Sequence, residues 1–319
     1  MFACVPSGGA ACRSIPLRAH RRRPLLCYET RVRQYHDLVR AVLERGTRKE
    51  NRTGVDTLSL FNHNYTIDLA EGFPLLTTKK ISWKNIVVEN LWFLSGRTDI
   101  GLLRKHGCKF WDPWAREDGT VPSAYGNFWR SFPTPEGGID QIRWVVRQLR
   151  DRPESRRMVV SAWAPGNAHD SALPPCHAMW VLNVQTDADG ERRLNLHLTQ
   201  RSADVALGVP YNIAGYAFLL ELFAHITDMK PGIFAHTCID AHIYTCKPDG
   251  SQAGADHVPG LKKQLERTPR ALPKLTIDPS IRSLGDVEKL IDADTDELLE
   301  KFKLEGYEPY PAISFQVAV

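Results

Sequence analysis

Apolar residues recur at Tyr35, Leu38, Val39, Val42 and Leu43, the spacing of one buried helix face, and Gly46 stops that helix. Thr57–Leu69 alternates and is rich in β-favouring side chains, so it reads as a strand or hairpin. Ile81–Leu94 predicts a strongly apolar helix closed by Ser95-Gly96. Ile139, Ile142, Val145, Val146 and Leu149 predict another, ended near Asp151-Arg152-Pro153. Three strands are expected at Arg157–Trp163, His177–Gln185 and Arg193–Gln200, with a turn at Asp187–Gly190 between the last two. Ile213–Ile226 reads as a buried helix, and Thr245–Gly260, rich in Gly, Pro and Asp, as an exposed loop. Strands and helices mix without regular βαβ alternation or internal repeat. The expected fold class is therefore α+β, with one domain over residues 32–319.

A chain of 319 residues buries enough apolar surface to fold without disulfide or metal staples. Its longest apolar stretch, around Ile213–Ile226, is interrupted by Glu221 and is too short to span a bilayer, so no membrane partner is expected. The net charge of +4 would suit a nucleic-acid partner, but its location argues otherwise. Residues 1–28 carry Arg13, Arg18, Arg21, Arg22 and Arg23 and no acid; subtracting those five charges from +4 leaves −1 for residues 29–319. Nucleic acid is thus not expected as the main partner. Residues 1–31 show no sustained period and read as a disordered, Arg-rich tail. They read first as an untargeted extension or an upstream start codon, with an organellar transit peptide as the functional alternative. The seven cysteines are odd in number and form no CxxC pair, which points to a reducing, cytoplasmic setting and away from a structural zinc site.

The chemistry-bearing candidates begin with Cys176 in Leu173-Pro174-Pro175-Cys176-His177. A cysteine fixed by two prolines can serve as a nucleophile if cations lie nearby, although a buried inert cysteine has the same local pattern. Arginines recur at Arg52, at Arg156-Arg157 and at Arg201, which is followed by Ser202 and Asp204. Guanidinium forks suit phosphate, with the surface ion pair as the bland reading of each. Asn212 opens an apolar helix, where it would ordinarily be a cap; its amide can also read a pyrimidine edge. His242 and Tyr244, two apart, share a strand face, either as a half-buried pair or as ligands of a sugar hydroxyl.

In this order the residues resemble the thymidylate synthases, the folate-dependent family with a cysteine nucleophile. The resemblance runs from about Arg33 to Val319 and includes Arg52-Thr53-Gly54, Phe73-Pro74-Leu75-Leu76-Thr77-Thr78-Lys79, Glu89-Asn90-Leu91-Trp92-Phe93-Leu94 and Trp111-Asp112. It continues through Tyr125-Gly126, Pro175-Cys176-His177, Gln200-Arg201-Ser202, the stretch from Leu207 to Ala214, and Asp240-Ala241-His242-Ile243-Tyr244. The resemblance implies an α+β domain forming a sheet-to-sheet homodimer with shared active sites. It implies reductive methylation of dUMP by 5,10-methylenetetrahydrofolate, with no metal and no nicotinamide. Cys176 would add to uracil C6. Arg52, Arg201 and Ser202 would hold the phosphate, joined by Arg156 and Arg157 from the other subunit. Asn212 would read the uracil, and His242 and Tyr244 the 3′-hydroxyl. Glu89, His177 and Tyr125 would serve proton transfers, and Asp204 would contact the pterin. Trp111, Trp114, Leu173, Gly208 and Tyr211 would form the folate site, Val319 would close it, and Lys79 would meet the glutamyl tail.

Some positions depart from the family pattern. Val181 and Leu182 stand where Gln and an aromatic are usual, Phe128 replaces Gln, Ile239 replaces Gly, and the usual Asn-His after Tyr244 is missing. Two other readings therefore stay open. One is a pyrimidine-nucleotide hydroxymethylase, in which water reaches the exocyclic methylene; its deoxycytidylate form usually has Asp where this chain has Asn212. The other is a non-catalytic nucleotide- or folate-binding paralogue.

Overall fold

The computed structural model describes residues 32–51, 53–168 and 173–318. The N-terminal tail, Arg52 and Val319 lie outside the described residues. Seven strands form the main sheet: β1 (Thr47–Lys49), β2 (Asp56–Asp68), β3 (Val159–Ser161), β4 (His177–Thr186), β5 (Arg192–Gln200), β6 (Ala203–Asp204) and β7 (Lys230–Thr245). Their order is β1-β2-β7-β5-β4-β3, with β6 also on β7. Pairing is antiparallel except at β5/β7 and β6/β7, which makes the sheet mixed. Together with its helices this is the expected single-domain α+β fold.

The helix Gly208–Ile226 is buried nearly all round and crosses behind the sheet, where its apolar run meets Trp180, Leu182, Leu196, Leu198 and Phe234. It begins five residues earlier than Ile213. Pro210 falls in the first turn, where a missing N–H costs nothing, so the proline starts the helix instead of delaying it. Asn212 consequently sits inside the helix and is not its cap. The N-cap position is Leu207, without a side-chain cap, and the turn before it is held by Asp204, whose Oδ1 accepts from Ala206 N at 2.9 Å and Leu207 N at 3.0 Å. The helix Trp83–Ser95 starts at Ser82, whose hydroxyl accepts from Asn85 N, and stops at Gly96 in the left-handed region.

The other face of the sheet carries Val159 and Met179, both more than a third exposed, beside the half-buried Val181, Thr199, Thr237 and Ile239. The family departures fall into two groups. Phe128 and Leu182 are core residues, whereas Val181 and Ile239 lie on this open face. The expected exposed loop at 245–260 is exposed over residues 248–254 and at Pro259. Thr245, Ala255 and His257 are buried, and the helix Val258–Leu265 has begun before Gly260. Among the described residues no helix is long and apolar enough to cross a membrane.

A short helix, Tyr125–Arg130, was not foreseen, because its six residues are too few to show a period. It packs so closely on the 83–95 helix that a Cβ on Gly126 would lie 2.2 Å from the backbone oxygen of Phe93. Gly126→Ala is expected to cost about 1–3 kcal/mol, the usual cost of overpacking. Urea unfolding with an unchanged m-value measures it, and an unshifted midpoint would refute the close contact.

Candidate active site

Cys176 stands at the entrance to β4, half-buried, and Arg201 follows the end of β5. The two meet because β4 and β5 are antiparallel neighbours. Arg201 N donates to Cys176 O at 2.8 Å. The Arg201 guanidinium donates to Pro175 O at 2.9 Å and Pro174 O at 2.8 Å, and Nη2 reaches Cys176 Sγ at 3.9 Å. The two prolines thus present carbonyls that aim a cation at the sulfur, a neighbour that favours the nucleophilic thiolate form. Trp163, which the sequence reading passed over, lies 5.3 Å beneath the same guanidinium.

Behind the sulfur is an aromatic wall. Cys176 N donates to Tyr125 Oη at 3.4 Å, and His177 stacks on Tyr125 with centroids 4.4 Å apart. Tyr125 also meets Trp111 at 5.8 Å, and Trp111 meets Trp114 at 6.0 Å. Trp111 Nε1 donates to Glu89 Oε1 at 2.8 Å. Burial pushes the Glu89 carboxyl up to about 7 despite that hydrogen bond. Burial likewise lowers His177 to about 3 and lifts Tyr125 well above the usual phenol range. Near neutral pH the wall therefore holds an uncharged imidazole, an uncharged phenol and one carboxyl poised to gain or lose a proton.

Asn212 is oriented by a buried polar chain. Gln200 Nε2 donates to the Ser202 carbonyl at 3.0 Å, which fixes the amide, and also to Asn212 Oδ1 at 3.0 Å. Gln200 Oε1 must then accept from His236 Nε2, 3.0 Å away. Burial holds His236 at about 3, hence neutral, so its Nδ1 accepts from the Tyr65 hydroxyl at 2.6 Å. Asn212 in turn hydrogen-bonds His177. Gln200 stood within a matched block but had no assigned role, and Tyr65 and His236 had none. The register Tyr65↔His236 between β2 and β7 joins them.

At the strand ends, Asp240 gathers Lys49 Nζ at 2.7 Å, Ser59 Oγ at 2.8 Å and His242 Nδ1 at 3.6 Å. A hydrogen bond from His242 foremost, with help from Lys49 and Ser59, holds the Asp240 carboxyl far below the ordinary range. Burial would lower His242, but its hydrogen bond to Asp240 and the charges of Asp204 and Asp240 outweigh that and raise it. Tyr244 meets the His242 ring edge-on at 5.4 Å, so the pair foreseen on one strand face is assembled. Ser202 is half-buried beside Arg201, and Lys49 ends the strand leading toward Arg52. Arg156 and Arg157 are exposed ahead of the edge strand β3 and are not drawn into this cluster.

Asp204, Gly208, Leu173 and Tyr211 are half-buried, and Tyr211 faces Phe110 at 6.3 Å. Both Asp204 backbone contacts use Oδ1. The aromatic rings and this carboxylate suit a flat pterin with hydrogen-bond donors. Lys79 departs from expectation. It is 4% exposed, donates to the Ala206 carbonyl and lies 4.8 Å beneath the Phe315 ring, and burial lowers it to about 8. It is held by the protein's own tail and is not displayed to a ligand's glutamyl tail.

Among the described residues no group of three or more His, Cys, Asp or Glu is arranged to hold a metal. The family model described as thymidylate synthase matches residues 33–319, nearly the whole described chain. Membership of that family supports a folate-dependent methylation or hydroxymethylation of dUMP, with methylenetetrahydrofolate as the cosubstrate. With Cys176, the Arg201 guanidinium beside it and the oriented amide of Asn212 all borne by the matched region, the chain belongs to the thymidylate synthase family.

Proposed function

We propose that residues 32–319 form a catalytic domain that converts dUMP to dTMP by reductive methylation. The observation that carries this reading is the placement of Arg201 Nη2 3.9 Å from Cys176 Sγ, in a site whose wall is aromatic. Cys176 adds to uracil C6 and makes C5 nucleophilic. Arg201 and Ser202, with Arg52, hold the phosphate. Asn212, its Oδ1 side fixed by Gln200, accepts from uracil N3–H and donates to O4. His242 and Tyr244 bind the 3′-hydroxyl. Glu89 moves protons at the uracil carbonyl, and Tyr125 with His177 guides removal of the C5 proton. 5,10-Methylenetetrahydrofolate supplies both the carbon unit and the hydride. Trp111, Trp114, Leu173, Gly208 and Tyr211 line its place, Asp204 accepts from the pterin, and Val319 covers it.

Methylation is favoured over hydroxymethylation because the wall from Glu89 to His177 is built of indole, phenol and neutral imidazole, which keeps water from the reacting carbon. The open sheet face around Met179 and Val181 fits a homodimer in which Arg156 and Arg157 reach the partner's phosphate site. Among the described residues Cys108, Cys176, Cys238 and Cys246 form no disulfide, which agrees with a cytoplasmic setting. The deciding experiment incubates the protein with dUMP and methylenetetrahydrofolate and weighs the nucleotide product. A methyl product with dihydrofolate is expected. A hydroxymethyl product with tetrahydrofolate would overturn methylation, and binding without turnover would favour the non-catalytic paralogue.

A further inference from the structure

The segment that replaces the missing Asn-His has a structural purpose. After β7 the chain turns at Lys247–Ser251, makes a tight turn at Ala253–Ala255 and returns to β7, where His257 N donates to Tyr244 O at 3.0 Å. His257 is 1% exposed, and each side of its ring is occupied. Tyr244 meets it at 5.5 Å with the planes 73° apart, and Phe315 from the C-terminal tail meets it at 5.0 Å. His257 Nε2 lies 2.8 Å from Gln316 O; a carbonyl only accepts, so Nε2 carries the hydrogen.

The neighbouring glycines fit the same contact. A Cβ on Gly260 would lie 2.5 Å from the Phe315 ring, and one on Gly254 would lie 3.1 Å from Gln316 Oε1. Both positions let the tail approach closely. The upstream part of the tail is fastened elsewhere. Arg267 donates to Thr78 O and Pro311 O at 2.7 Å each, and Arg270 stacks 4.2 Å from the Tyr310 ring. His257 is therefore the hydrogen-bonding tie between the end of the tail and the strand bearing Tyr244.

We propose that His257 is a positioning residue that latches the C-terminal tail to Tyr244, so that closure of the tail and occupancy of the sugar subsite reinforce each other. The coupling rests on the proposed function, in which Tyr244 binds the nucleotide's 3′-hydroxyl. A ligand on Tyr244 fixes the ring against which His257 leans; His257 in turn holds Gln316 and Phe315 in place. By linkage, a closed tail strengthens nucleotide binding by the same factor.

Limited proteolysis of the full chain by a broad-specificity protease tests this, read by mass spectrometry as the rate of cleavage within residues 311–318. Without ligand, His257→Phe keeps a ring against Tyr244 but loses the donor to Gln316 O. Cleavage of the tail is then expected to rise about tenfold, with β7 uncut. His257→Gln, which can place an amide donor near Nε2, should restore most of the protection. Saturating dUMP should slow tail cleavage in the unaltered protein and not in His257→Phe. Phe315→Leu, which loosens the latch from the tail side, should lose the same response and serves if His257→Phe does not fold. Equal ligand-free tail cleavage in His257→Phe and the unaltered protein would overturn the latch, as would an equal dUMP response in both. Calorimetry with dUMP separates the two readings. No binding by the unaltered protein would refute the functional assignment, while the ligand-free comparison would still decide the latch.

Discussion

Cys176→Ser is expected to lower turnover by about a thousandfold or more while leaving dUMP affinity within about threefold. Serine keeps the size of the side chain at the mouth of β4 and leaves the Arg201 bonds to Pro174 O and Pro175 O in place. Those bonds position Arg201, which with the amide of Asn212 and the Asp240-supported His242 is a proposed anchor of the nucleotide, and none of the three needs the sulfur to stay in place. A hydroxyl beside a cation does not become a good nucleophile, because its pKa starts far above that of a thiol. Steady-state kinetics and calorimetric titration read the two effects separately. Retention of more than about a tenth of the activity would refute the nucleophile assignment. The same variant tests the shared site. Arg156→Ala and Arg157→Ala should each weaken nucleotide binding, and mixing either with Cys176→Ser should regain activity if the arginines act across the dimer. A mixture no more active than its parts would refute that arrangement.

Glu89→Gln carries the second large effect, a loss of about a hundredfold or more in kcat, the usual scale for removing a general acid–base group. The amide keeps the hydrogen bond from Trp111 but can neither take up nor release a proton. The pH dependence follows from burial. Glu89 titrates near 7 in the fold, and near the ordinary 4.5 of a glutamate when exposed in the unfolded chain. Between these values the folded state holds a proton that the unfolded state has lost. The group therefore makes stability fall as pH rises from about 4.5 to about 7, and the deficit persists above that range. Glu89→Gln removes this slope, so its stability relative to the unaltered protein should increase from pH 5 to pH 8. Glu221, raised to about 7 by burial as well, is common to both proteins and cancels in the difference. Urea unfolding across that range measures it. A pH-independent difference, or an unchanged kinetic limb near pH 7, would show that Glu89 is not the titrating group.

The amino-acid sequence determined the helices and strands whose periods were long enough to read. The 33–45 and 83–95 helices, β4 and β5 all answer to simple spacing of apolar residues, and their mixture determined the α+β class. It also supplied the order of motifs that carries the family and, within them, Cys176, Arg201 and Asn212. The tertiary structure decided what those residues contact, since a contact between distant positions depends on strand register and not on local pattern. It set Arg201 against Cys176 across antiparallel strands, joined Tyr65 to Asn212 through His236 and Gln200, and moved Asn212 from a cap position into the helix by starting the helix at Gly208. Lys79 and His257 make the same point. The family resemblance offered Lys79 to a glutamyl tail, and composition placed His257 in an exposed loop. Burial beneath Phe315 and against Tyr244 gives both to the protein's own tail, because packing, and not residue type, decides which polar groups are left to meet a ligand.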